Sequence, residues 1–268
     1  MTFDALNQNF TAVDGKSPEI FLKALETKGY CYFSNVLNRD LVGRLRSRID
    51  EVIDEDLKQN HTRGQYAYLA QNKGACFVTL LELSPLQHYL DLVLGQTCII
   101  HSYNVIRVAP NLNNPTQNAI HRDSPRFCRP YLLSVQILYL IDDFTLENGA
   151  TYMLAGSHLL DGRPKEEDFF AEADRITGKA GDAIIFDSML WHAGGQNKTK
   201  EHRRGITVVN TRPFMKQQID LSKATKPEVL EELSPRSKRL LGFDCRVPSS
   251  IEEFMLPPDQ RLYKPNQG

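Results

Sequence analysis

The sequence predicts a mainly β protein with flanking helices: a jelly-roll core behind an N-terminal helical layer. Two observations carry this. Up to about residue 97, apolar residues recur at helical spacing between N-cap and stop signals. From Cys98 to about residue 214 come short runs rich in β-branched and aromatic residues, divided by Asn, Gly, Pro and Asp clusters. Only one charged stretch, "RPKEEDFFAEADR", interrupts those runs, so the strands do not alternate with helices as βαβ units would.

The elements follow in order. Ser17-Pro18 is an N-cap and N1 pair for a helix through "EIFLKALETKG", with Gly29 as its stop. "YCYFSNV" is short, aromatic and strand-like. Asn38 caps a long amphipathic helix, with Leu41, Leu45, Ile49, Val52, Ile53 and Leu57 on one stripe. Ser84-Pro85 opens a further helix that Gly95 closes. "CIIHSYNVIRVA", "YLLSVQILYLI", "AIIFDS" and "GITVVNT" read as strands, and short helices return from Thr225. With no repeat and no linker, the expected organisation is one domain over 1–268: a helical buttress (1–97), a β core (98–214) and a C-terminal tail (215–268).

Nothing in the net charge of −1 suggests an electrostatic grip on nucleic acid or on an anionic membrane surface. Five scattered cysteines without a CxxC pair argue against a disulfide framework or zinc ribbon. The N-terminus shows no basic-then-apolar leader, and no apolar run approaches the ~20 residues of a membrane span. The expectation is a cytoplasmic chain.

The candidate chemistry starts at "HRDSPR". At a strand end, His121 and Asp123 are i and i+2 and share a face, so an imidazole and a carboxylate reach one ion. "GDAIIFDSMLWHAGGQN" supplies a third ligand, His192, after an apolar strand. Two imidazoles and one carboxylate occupy one face of iron(II) and leave three adjacent positions open, which suits a bidentate co-substrate plus dioxygen. The competing reading is a polar turn at HxD and a hydrogen-bonded rim histidine at 192; the order and β setting of all three favour the metal. Eleven residues after His192, Arg203 alternates with Gly205 and Thr207 onto one strand face and is a candidate partner for a carboxylate. On charge pattern alone, Arg204 is an equal candidate.

Four blocks in order, "HRD" (121–123), "ENGATYMLAGSH" (147–158), "GDAIIFDSMLWHAGGQN" (181–197) and "RRGITV" (203–208), with "GYCYFSNVL" upstream, resemble the phytanoyl-CoA dioxygenase family of iron(II)- and 2-oxoglutarate-dependent oxygenases. The resemblance implies a double-stranded β-helix and His121, Asp123 and His192 as ligands of Fe(II). It implies Arg203, at the family's spacing, as partner of the distal 2-oxoglutarate carboxylate. It implies co-substrate contacts from Thr151 and, on the strand before HxD, from Tyr103 and Asn104. A strand threonine packing its methyl remains the other reading of Thr151. The implied activity oxidises, most simply hydroxylates, an unactivated C–H bond of a small metabolite, with O2 consumed and succinate and CO2 released. Asp123 speaks against a halogenase, in which a small residue replaces the carboxylate. Arg122 and Arg126, with Arg129 nearby, suggest an acidic substrate. Segments 63–77, 111–118 and 215–221 are expected to cover the mouth, with Gln65, Tyr66, Tyr68 and Phe77 either lining the pocket or packing on the barrel. Two other classes use the same residues: a zinc or manganese hydrolase or isomerase, and a non-catalytic binding module.

Overall fold

The computed structural model describes residues 17–62, 65–110, 119–124 and 126–264; the expected mouth loop 111–118 and Arg63 lie outside the described residues. Helix α1 (Pro18–Thr27) starts where Ser17 Oγ accepts from Ile20 N (3.3 Å) and Pro18 sets the first turn. Gly29 follows at φ 83°. A Cβ there would come within 2.6 Å of the His158 ring, so the chain turns closely into strand β1 (Tyr30–Phe33). Helix α2 (Arg39–Lys58) is capped by Asn38 Oδ1, which accepts from Leu41 N at 2.8 Å. Its stripe from Leu41 to Ile53 is buried, while Leu57 in the last turn is exposed.

Segment 63–77 is not simply loop. Strand β2 (Tyr66–Ala67), a 3-10 turn (Ala70–Asn72) and the start of helix α3 (Ala75–Leu83) occupy it. The stretch "ACFVTLLEL" is apolar almost all round, so it offers no amphipathic stripe to read, and a helix of that kind is buried. Helix α4 (Gln87–Leu94) begins two residues after Pro85, because Ser84 takes a positive φ of 37° to end α3.

The β region builds two facing antiparallel sheets. The larger has the order β1-β7-β4-β9-β3-β2, with β3 Ile99–Val108, β4 Ser134–Leu140, β7 Ala183–Asp187 and β9 Arg203–Thr211. The smaller has the order β6-β5-β8, with β5 Thr151–Met153, β6 Asp174–Ile176 and β8 His192–Ala193. Strands this short carry no readable period, which is why the sequence did not reveal them. The charged interruption holds helix α5 (Glu166–Glu172).

Alternation along β4 and β7 serves both faces. Ile137 and Ile185 join Phe21, Phe33, Leu45 and Phe77 in the helix-side core. Leu138, Ile184 and Phe186 face the small sheet with Ala150 and Met153. The result is a jelly roll buttressed by helices. The N-terminal third is more than a helical layer, since β1 and β2 form both edges of the large sheet. The C-terminal stretch is likewise more than a tail: helices α6 (Leu221–Ala224), α7 (Pro227–Glu232) and α8 (Pro235–Leu240) send Leu221, Leu240 and neighbouring Leu233 and Leu241 into the helix-side core, and α9 (Ile251–Phe254) follows. Among the described residues, no helix is long and apolar enough to cross a membrane.

His158, in the 3-10 turn Ser157–Leu159, is fully buried and donates from Nε2 to the Glu26 carbonyl (3.1 Å). Burial, with the charge of Arg129, pushes its pKa down from 6.5 to about 4. The unfolded chain then binds more protons than the folded one between about pH 6.5 and 4, so stability falls as pH drops through that window. Urea midpoints measured across that range should decline in the parent protein, and H158Q should show a flatter slope.

Candidate metal centre

The inward residues of the large sheet line a cavity of about 500 Å³ between the sheets. β4 contributes Ser134, Gln136 and Leu138; β3 contributes Ser102, Asn104 and Ile106; β9 contributes alternate residues from Arg203 to Thr211. His121, Asp123 and His192 meet in this cavity, and one ligand atom from each lies within 4.8 Å of the others.

Backbone pairing sets the two imidazoles against each other. His121 N donates to His192 O (3.0 Å) and His192 N returns a bond to His121 O (2.9 Å). The ring centroids are 4.2 Å apart. β8 is itself held by β5, where Met153 stands opposite His192. Each ring has its Nδ1 on a carbonyl, Ala119 O for His121 and Leu190 O for His192, both at 2.9 Å. A carbonyl only accepts, so Nδ1 carries a proton, and Nε2 is the ring nitrogen left to face Asp123. The Asp123 carboxylate lies 3.8 Å from Nε2 of His121 and 3.9 Å from Nε2 of His192. Burial lowers the pKa of His192, with Asp123 opposing the shift, so that ring is held in the neutral, ligand-competent form.

Strand alternation separates the two arginines that the sequence left equal on charge. Arg204 faces outward and pairs with Asp50 (2.7 Å) and Asp142 (3.0 Å). Arg203 faces the cavity, buried, with its carbon Cζ 4.1 Å from the Phe144 ring centroid. Its Nε and Nη1 have no hydrogen-bond partner. Burial pushes its pKa down to about 10, against the pull of Tyr66 and Asp142, so the guanidinium stays charged at neutral pH. Thr151, Asn104 and Tyr66 line the same cavity. Burial raises the Tyr66 pKa, and Arg203 works against that rise.

Several expected site residues lie elsewhere. Tyr103 is adjacent to Asn104 on β3 and so points to the opposite face, where its hydroxyl donates to Phe77 O (2.9 Å) in the core. Phe77 is core as well. Gln65 is buried beside β2 but does not line the cavity, because Tyr66 takes the inward position; Tyr68 does not line it either. Arg122 turns away, bonding Asp161 (3.3 Å) and lying over the Trp191 ring at 5.3 Å. Arg126 is exposed and outside the cavity lining, and Arg129 pairs with the buried Asp187. The arginine argument for an acidic substrate therefore fails, since two of the three are occupied and none lines the cavity. Sequence reasoning missed Gln136, Ser134, Ser188, Phe144 and Phe186; once the register of β4 is known, its i, i+2 alternation identifies the first two.

The family model for phytanoyl-CoA dioxygenase (PhyH) matches residues 25–205. The chain is 34% identical over 256 residues to the uncharacterized protein Rv1501 of Mycobacterium tuberculosis, covering 91% of this chain and 94% of that one. It is 24% identical over 264 residues to dioxygenase trt7 of Aspergillus terreus (92% and 91% covered), and 29% identical over 151 residues to the iron/alpha-ketoglutarate-dependent dioxygenase penM of Penicillium thymicola (52% and 46%). Among solved structures, AviO1 of Streptomyces viridochromogenes superposes with a TM-score of 0.61 at 17% identity, covering 74% of this chain and 96% of that chain. The epimerase SnoN, solved with Fe3+, alpha ketoglutarate and nogalamycin RO, superposes with a TM-score of 0.55 at 16% identity, covering 72% of this chain and 83% of that chain.

A buried cation with two unpartnered donor atoms destabilises the protein until an anion joins it. R203M should therefore match or exceed the parent in thermal midpoint when no ligand is added. R204M, which leaves Asp142 to Arg46 and Asp50 to Arg107, should lose about 1 kcal/mol. Thermal denaturation of both variants checks this contrast.

Proposed function

The chain belongs to the phytanoyl-CoA dioxygenase family, and from that premise we propose that it hydroxylates an unactivated C–H bond of a small molecule using iron(II), 2-oxoglutarate and dioxygen. The observation that carries this reading is the unpartnered, buried guanidinium of Arg203 in one cavity with His121, Asp123 and His192. The donor set fits iron(II): two imidazole Nε2 atoms and one carboxylate, on one side of an open cavity. A cofactor with one carboxylate at the metal and another at its far end gives Arg203 its missing partner; a hydrolytic metal site does not.

Bound there, iron with 2-oxoglutarate and dioxygen supplies the oxidising power, placing one oxygen atom in the new alcohol and releasing succinate and CO2. The chain's own residues do the rest. His121 and His192 present Nε2 because their Nδ1–H groups are committed to Ala119 and Leu190. Asp123 provides the anionic ligand. Arg203 would hold the distal carboxylate through a charge-assisted contact, and it is buried with its guanidinium over the Phe144 ring. The Thr151 hydroxyl and the Asn104 amide offer hydrogen bonds to co-substrate oxygens, and Tyr66, its hydroxyl kept protonated, can donate one.

Anaerobic addition of iron(II) and then 2-oxoglutarate should give a weak visible charge-transfer band. H121A should lose metal binding and band together. R203A should keep iron but weaken 2-oxoglutarate binding about 100-fold, the loss of two charge-assisted hydrogen bonds. Iron binding without a band in the parent protein would move the hydrolase or isomerase reading to the front.

A further inference from the structure

The cavity continues past the three candidate ligands, away from Arg203. β9 runs from Arg203 to Thr211, and its final inward residues are paired with serines: Val209 opposite Ser102, and Thr211 opposite Ser134. Ser188 joins them, its amide donating to Ser134 O (3.2 Å) while its own carbonyl accepts from Ser124 N (2.8 Å), directly after Asp123. This lobe is therefore tied to the metal-ligand loop by backbone hydrogen bonds. Ser188 is 1% exposed and lines the cavity, yet its Oγ has no hydrogen-bond partner. Native proteins keep few such groups, and in a residue that lines a cavity a rotation about χ1 is what brings the hydroxyl to a partner that enters.

The surroundings narrow what that is. Thr211 Oγ1 donates to Leu133 O (3.1 Å) and retains lone pairs for a further donor. His101 has Nδ1 on Lys216 O (2.9 Å), which leaves Nε2 as an acceptor. Among the described residues that line the cavity, Arg203 is the one Arg or Lys, and it lies at the other end. With iron(II) bound, the Asp123 carboxylate and the two carboxylates of 2-oxoglutarate offset its charge and that of Arg203, so an anion in this lobe would meet no net positive charge. Leu133, Val209 and Met215 add apolar wall. Outside the lining, Tyr131 and Phe214 are exposed with ring centroids 6.4 Å apart, and Arg212, which lies over Tyr131, has its nitrogens committed to the carbonyls of Leu132, Leu94 and Val93.

We propose, building on the iron and 2-oxoglutarate reading of the site, that this lobe takes an uncharged substrate bearing a hydroxyl group and an apolar face. Ser188 is its specificity-determining residue, hydrogen-bonding that hydroxyl. The same lobe discriminates against carboxylates and phosphates by lacking a counter-charge, and against plain hydrocarbons by leaving Ser188 unsatisfied.

Protein loaded anaerobically with iron(II) and 2-oxoglutarate is titrated with two probes, cyclohexanol and cyclohexanecarboxylate. Binding is read from the visible band and, separately, from saturation-transfer NMR of each probe. Cyclohexanol should bind at millimolar concentration and perturb the band, with the carboxylate at least about tenfold weaker. S188A should weaken cyclohexanol binding about tenfold, the loss of one hydrogen bond, while leaving 2-oxoglutarate affinity unchanged. Its thermal midpoint should equal or exceed the parent's, because the hydroxyl it removes is unpaired. Equal or preferred binding of the carboxylate, no binding of cyclohexanol, an S188A protein that binds like the parent, or a lowered midpoint would each overturn the inference. Absence of the band in the parent protein counts against the iron and 2-oxoglutarate reading instead, and the NMR comparison still decides the question of Ser188.

Discussion

Two backbone hydrogen bonds, exchanged between His121 and His192, bring together a site whose residues are about seventy positions apart in the chain. Without that bridge the two imidazoles are merely rim histidines. With it, Nδ1 of each ring rests on a carbonyl two residues earlier in its own chain segment, and both Nε2 atoms are aimed at the space beside Asp123. Much of the surrounding fold secures this one contact. β5 fixes β8 in register, and the turn before β5 packs against the stretch after β8 so tightly that a Cβ on Gly149 would come within 2.4 Å of the Gly195 carbonyl oxygen. Gly149 has φ 86°, so a side chain there is opposed by both backbone conformation and space. Asn148 braces the same turn, donating to Asp143 O and accepting from Thr145 N. The "NGAT" and "HAGGQN" motifs are thus two halves of one packing contact behind the metal-ligand candidates.

The second organising constraint is the disposition of charge. Arginines are frequent around this cavity, but nearly all are occupied: Arg122 with Asp161, Arg129 with Asp187, Arg204 with Asp50 and Asp142. Arg203 alone of this group is buried with unpartnered nitrogens in the cavity. A desolvated cation of this kind is costly, and such a cost is explicable where an anionic ligand offsets it. The neighbouring lobe is built to the opposite rule, from hydroxyls and apolar walls with an unpaired Ser188. One cavity therefore offers a full charge at one end and neutral hydrogen-bonding capacity at the other.

Much of this was legible in the sequence, and the physics explains which parts were. Helices α1 and α2 announced themselves through Ser17, Asn38 and the apolar stripe, because caps and 3.6-residue periodicity are local signals. The four long strands were legible for the same reason. Helix α3 was hidden by being apolar all round, and β5, β6 and β8 by being two or three residues long. At the site, the three ligand candidates and Arg203 could be named from motif order. Tyr103 falls outside the site because neighbours on a strand face opposite ways, and only Asn104 of the pair faces the cavity. Arg122 and Arg129 were misread because their ion-pair partners lie 39 and 58 residues away, a distance at which no local pattern reports. Gln136 lies outside the motifs and reaches the cavity through the register of β4, while Ser188, inside "GDAIIFDSMLWHAGGQN", is brought there by the turn after β7.

The most direct test of the central claim is a crystal structure of the chain grown anaerobically with iron(II) and 2-oxoglutarate. The account predicts iron bonded to Nε2 of His121, Nε2 of His192 and the Asp123 carboxylate, with the far carboxylate of 2-oxoglutarate on the now-satisfied nitrogens of Arg203. Iron held through Nδ1 or by other residues, or a co-substrate carboxylate that leaves Arg203 unpaired, would contradict it.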